Sequence, residues 1–98
     1  MGTKAAATIR VERAQTGVRM EKRLLKVLRA LADYHDLTLG DLLEGIVLHA
    51  IEGKCPFGPG SLKRIQDLKR IYGLELDASA SHRLVEDSPG GKHERARR

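Results

Sequence analysis

Residues 15–50 read QTGVRMEKRLLKVLRALADYHDLTLGDLLEGIVLHA, and the hydrophobic period changes within them. Val18 and Met20 alternate with Gly17 and Arg19, the two-residue repeat of a short strand. From Glu21 onward the repeat is that of a helix. Leu24, Leu28 and Leu31 form a stripe that Leu25, Val27 and Ala32 widen, and Lys22, Arg23, Lys26, Arg29 and Asp33 occupy the other side. This helix is expected to end near His35-Asp36, where Asp tolerates a turn conformation. Thr38-Leu39-Gly40-Asp41 then has the spacing of a capping box and opens a second helix. Leu39, Leu42, Leu43, Ile46, Val47, Ala50 and Ile51 share one arc of it, Asp41, Glu44, His49 and Glu52 lie off that arc, and Gly53 supplies the stop. A glycine inside a helix costs about 1 kcal/mol relative to Ala, so a close neighbour is expected over Gly45 and Leu48.

A lone strand in so small a unit needs ladder partners for its amides and carbonyls, and a second copy of the same strand would provide them. The expected fold class is therefore mainly α with one short N-terminal β-strand, assembled as a homodimer. The length agrees with this. The 98 residues, 41% hydrophobic and only 3% aromatic, allow one small domain and a limited core within one chain.

Outside this stretch the organisation is simpler. Residues 1–14 form an expected flexible basic arm, in which residues 8–12 alternate weakly and could extend the strand pairing. Residues 15–53 are the main domain, and residues 54–60, Lys-Cys-Pro-Phe-Gly-Pro-Gly, have the Pro and Gly density of a linker. Residues 61–86 form a helical extension: Leu62, Ile65, Leu68, Ile71 and Tyr72 fall on one face, Ser61 is a candidate cap, Gly73 a stop, and Asp77 a cap for a weak fourth helix. Residues 87–98 read as a disordered basic tail.

Charge is unevenly spread over the net +5. Residues 1–30 hold eight Lys or Arg against Glu12 and Glu21, whereas residues 31–60 hold Lys54 against five acidic residues. A basic N-terminal third is the electrostatic footprint of a nucleic-acid binder, and equally of a solvated basic face. No apolar run approaches the roughly 18 residues of a membrane span, no secretory leader is evident, and a single cysteine, Cys55, suits a reducing compartment. The expected location is the cytoplasm, without membrane partners.

The pattern of Gly17-Val18-Arg19-Met20, Leu24-Leu25-x-x-Leu28-x-x-Leu31-Ala32 and Leu37-Thr38-Leu39-x-Asp41-Leu42-Leu43 resembles the ribbon-helix-helix family of the Arc and MetJ repressors, over residues 15–53. The resemblance implies an intertwined homodimer in which two strands pair as an intermolecular two-stranded antiparallel ribbon that enters the major groove of double-stranded DNA. It implies a dimer core of Val18, Met20, Leu24, Leu28, Leu31, Leu42, Leu43, Ile46, Val47 and Ala50. Gln15, Gly17 and Arg19 would face the bases. Arg19 is the strongest reader, because an Arg can donate two hydrogen bonds to a guanine, while Gly17 offers no side chain. Phosphates would be met by Arg10 and Arg13 of the arm, by Lys22 and Arg23, and by the free amides of Thr38, Leu39 and Gly40 at the second helix start, a feature any Thr-capped helix also shows.

The expected function is a sequence-specific DNA-binding transcriptional regulator, a repressor by resemblance. The alternative is an antitoxin-like interaction module whose residues 61–86 bind a protein partner, with DNA binding secondary; a third reading is a domain that only dimerises. Cofactors and metals are not expected: His35, His49, His82, His93 and Cys55 lack paired ligand spacing. No nucleophile stands beside a plausible base, and no phosphate-binding loop motif occurs, so an enzyme is not expected.

Overall fold

The computed structural model describes residues 8–87. The first seven residues of the expected arm and all but Asp87 of the expected basic tail lie outside the described residues. Three helices follow one another: α1 (Lys22–Tyr34), α2 (Leu39–Ile51) and α3 (Pro59–Tyr72), then a single 3-10 turn, Ala78–Ala80.

Each helix begins where a local acceptor or a missing donor makes starting easy. Glu21 caps α1 with its own carboxylate, which accepts from the Leu24 amide at 2.8 Å. Thr38 caps α2 through Oγ1, which accepts from the Asp41 amide at 3.1 Å, as the capping-box spacing anticipates. For α3 the expected Ser61 cap is replaced by Gly58 at the cap, with Pro59 in the first turn. Proline fits there because the first helical amides have no intrahelical partner to lose.

All three helices end in the same way. After α1 the Asp36 amide donates to Asp33 O (3.1 Å) and the Leu37 amide to Ala32 O (2.8 Å), with Asp36 left-handed at φ +57°. After α2 and α3 the equivalent bonds are Lys54 N to His49 O and Leu74 N to Lys69 O, both 2.9 Å, with Gly53 and Gly73 left-handed. This is the Schellman arrangement, which satisfies terminal carbonyls by turning the chain sharply away. The third turn also has a packing consequence, since it returns Leu74 to the core.

α1 is the hub. It packs on both α2 and α3, which do not pack on each other. Val27, Leu31 and Ala32 of α1, Leu42 of α2, Leu68 of α3 and Leu74 form the buried cluster, with Leu24, Leu28, Ile46, Phe57 and Ile65 partly buried against it. Leu31 is only 1% exposed and sits at the centre.

The expected β-strand is absent. Residues 8–20 carry no strand or helix, so among the described residues the chain is helical and the ribbon-helix-helix architecture, with its intermolecular antiparallel ribbon through Val18 and Met20, is overturned. The same holds for the weak alternation of residues 8–12. Amides and carbonyls demand protein partners only where the backbone is buried. Residues 8–19 are exposed, with Val18 72% accessible, so water can satisfy their backbone groups.

Two smaller expectations also change. The fourth helix reduces to the Ala78–Ala80 turn capped by Asp77, and His82 adopts φ +67°, which stops any continuation. Nothing lies within 4 Å of where a Cβ would stand on Gly45, and Leu48 is exposed. The Gly45 carbonyl instead pairs with Nδ1 of His49 at 2.7 Å.

Candidate nucleic-acid interface

Among the described residues, the basic side chains of the N-terminal third fall into two groups. Arg10, Arg13 and Arg19 lie on the exposed irregular segment, while Lys22, Arg23, Lys26 and Arg29 lie on exposed positions of α1. The first turn of α1 contains no acidic residue and carries Lys22 and Arg23, while the capping carboxylate of Glu21 stands just before it. Cations at a helix N-terminus add to the positive end of the dipole, which disfavours the isolated helix and favours an anion nearby. Arg23 also reaches α3: its Nε stands 4.0 Å from the Cβ position of Gly73, at that helix's negative end. Lys22 is therefore the clearer phosphate candidate of the two.

Arg13 is drawn to α2. Its Nε and Nη2 donate to the two carboxylate oxygens of Glu44, each at 2.9 Å, and Nη2 lies 3.6 Å from Asp41. These hydrogen bonds hold the Glu44 carboxyl below its ordinary range and raise the Arg13 guanidinium above its own. The contact lays the N-terminal segment beside the start of α2, so Arg13 lies near the helix end formed by Thr38, Leu39 and Gly40. Gly40 is open, with only the Thr38 hydroxyl within 4 Å of a Cβ there.

Arg19 is drawn to the C-terminal segment, where Nε donates to Glu86 Oε1 at 2.9 Å and Nη2 donates to Oε2. Gln15 and Gly17 are exposed between these two anchored arginines. Thus the candidate base readers and Arg10 and Arg13 of the arm lie on one continuous exposed stretch of chain, held at Arg13 and at Arg19.

The residues expected in a dimer core divide sharply. Leu31 and Leu42 are buried, Leu24, Leu28, Leu43, Ile46 and Met20 are partly buried, and Val18, Val47 and Ala50 are exposed. On α2, Val47, Leu48 and Ile51 are 51%, 66% and 76% exposed. Beside the core, an apolar cavity of about 380 Å³ opens between α1 and α3, lined among others by Leu24, Leu28, Ile65, Leu76 and Leu84.

The acidic partners Glu44 and Glu86 escaped sequence reasoning. Neither pair has helical spacing, as 31 and 67 residues separate the partners. A second missed cluster ties α1 to α3: the Arg64 guanidinium lies 4.2 Å over the Tyr34 ring, and His35 Nε2 is 3.2 Å from Ser61 Oγ. His35 therefore links the end of α1 to the first turn of α3.

Compared with protein-family models, with curated proteins and with solved structures, the chain matches none. Among the described residues, no helix is long and apolar enough to cross a membrane.

Proposed function

We propose that the protein binds double-stranded DNA as a homodimer and regulates transcription in the cytoplasm. The observation that carries this reading is the run of exposed cations in the N-terminal third: Arg10, Arg13 and Arg19 on an irregular segment, of which Arg13 and Arg19 also meet Glu44 and Glu86, followed by Lys22, Arg23, Lys26 and Arg29 of α1. An extended segment of this kind can follow a groove as an arm, its guanidinium groups meeting phosphates and base edges while α1 supplies a fixed basic platform. Arg19 and Gln15 are the residues with the donors to discriminate bases. Lys22 and the amides of Leu39 and Gly40 fix the register on phosphates.

Self-association is supported by the outer face of α2. Val47, Leu48 and Ile51 are neighbouring apolar side chains on a helix whose inner face alone is used within the chain. A second copy packing there would remove them from water, where each buried aliphatic side chain contributes about 1.5–3 kcal/mol. This dimer uses helix packing and needs no strand pairing.

The antitoxin-like alternative has one observation in its favour. α3 is docked on α1 through Leu68 and Ile65, yet Ile71 remains 69% exposed on its far side, a surface on which a protein partner could dock. Fluorescence anisotropy on duplex DNA over a salt series separates the readings. The proposed function requires binding whose log affinity falls steeply and linearly with log salt; no binding at low salt would transfer the weight to the protein-partner reading.

A further inference from the structure

The segment after α3 is built as a strap that ends on the candidate base reader. Gly73 turns the chain, Leu74 returns to the core, and Leu76 is partly buried against it. Asp77 then holds the single 3-10 turn, accepting from the Ser79 amide at 3.0 Å and from its hydroxyl at 2.5 Å. Arg83 closes the next turn, with Nη1 donating to Ser79 O and its amide to Ala80 O, both at 3.0 Å. Leu84 lines the α1–α3 cavity beside Leu24 and Leu28. Two residues later, the Glu86 carboxylate accepts from Nε and Nη2, the side-on edge of the Arg19 guanidinium.

The Nε–Nη2 edge held by the carboxylate is the one that a phosphate or a guanine would otherwise share, and the carboxylate charge opposes a second anion approaching the remaining Nη1 donors. Asp87, next in the chain, adds a second negative charge that would repel a phosphate backbone approaching this end of the strap. From the proposed DNA-binding function, on which this rests, we infer that the strap is an autoinhibitory element: Glu86 occupies Arg19 in the free protein, and DNA must displace it. Leu74 and Leu76 anchor the strap on the core, Leu84 lies half-exposed at the cavity, and Glu86 is the competing anion.

The exposed setting of the pair sets the size of the effect. Side chains of Arg19 and Glu86 are 82% and 58% accessible, and an ion pair so exposed corresponds to a factor of roughly two to five in an equilibrium constant. The test is duplex DNA binding by anisotropy with the full chain and the variants Glu86→Gln, Leu84→Ser, Asp87→Asn, Arg19→Ala and the double variant Arg19→Ala/Glu86→Gln. Glu86→Gln should tighten binding by that factor, Leu84→Ser should do so too, and Asp87→Asn should do less. In the Arg19→Ala background the Glu86 change should have no effect. The gain should also shrink as salt rises, because salt screens the pair it removes. Equal tightening by Asp87→Asn and Glu86→Gln, or a Glu86 effect that survives Arg19→Ala, would reduce the result to general charge and overturn the mask. Unchanged affinity in Glu86→Gln, with the native chain binding DNA, would overturn the mask alone. Absence of binding in every variant would overturn the DNA-binding function and the mask together.

Discussion

Both carboxylate oxygens of Glu44 accept from one guanidinium, that of Arg13, across 31 residues of sequence and at 2.9 Å each. This fork ties the irregular N-terminal segment to α2, so the basic stretch has a defined position relative to the helices without any sheet to hold it. Asp41 adds a third negative contact at 3.6 Å.

The pair makes a pH prediction. Hydrogen bonding from Arg13 lowers the Glu44 pKa in the folded chain. A carboxyl with a lowered folded pKa stabilises the attachment at pH above its unfolded value, and that stabilisation is lost as pH falls through the folded value. Carboxyl-detected NMR titration of Glu44 should show a midpoint below the ordinary glutamate range, and Arg13→Ala should return it there. An unshifted midpoint in the native chain would mean that the segment is not held at α2.

Core packing makes a stability prediction. Leu31 is 1% exposed at the point where α1 meets its neighbours. Leu31→Ala should cost about 2–5 kcal/mol, the range for a buried leucine truncated to Ala, whereas Leu48→Ala on the exposed side of α2 should cost far less in the monomer. Urea unfolding monitored by circular dichroism measures both.

The helix ends predict two changes of opposite sign. Gly73 holds φ +69°, and a side chain there costs about 1–2 kcal/mol, so Gly73→Ala should destabilise and loosen Leu74. Asp36 holds φ +57° without being glycine. Asp36→Gly relieves that strain but adds backbone freedom to the unfolded chain, leaving a net gain below about 1 kcal/mol. Thermal unfolding midpoints should therefore move down for the first variant and slightly up for the second.

The three helices are legible in the sequence because the signals that make them are local. Leu24, Leu28 and Leu31 specify the buried stripe of α1, Thr38 its successor's cap, and Gly53 and Gly73 the stops. The irregular segment resembles a strand for a physical reason: Val18 and Met20 show strand spacing, but two apolar residues also fit an exposed extended chain, and only burial would require a ladder. The candidate site is legible in part. Arg13 and Arg19 stand out as cations, but their partners Glu44 and Glu86 are determined by the tertiary path of the chain, on which residue spacing is silent. The failed fourth helix is a similar case, since the capping signal at Asp77 is real but organises only one turn before His82 turns left-handed.

Self-association makes a further prediction. If a second copy covers Val47 and Ile51, the chain should sediment as a dimer at tens of micromolar, on the order of concentrations at which modest interfaces populate. Val47→Glu and Ile51→Glu should shift it to monomer without loss of helicity. A monomer in the native chain under these conditions would remove the dimer from the account.

The most direct measurement is duplex DNA binding by the full chain across a salt series, beside a variant with Arg10, Arg13 and Arg19 all changed to Ala. The account predicts salt-sensitive binding by the native chain, with a weaker affinity and a shallower salt slope in the variant, by about one unit of slope for each phosphate that is no longer neutralised. Native-like affinity and slope in the variant would contradict the claim that this segment meets DNA, and no binding by either protein at low salt would contradict DNA binding itself.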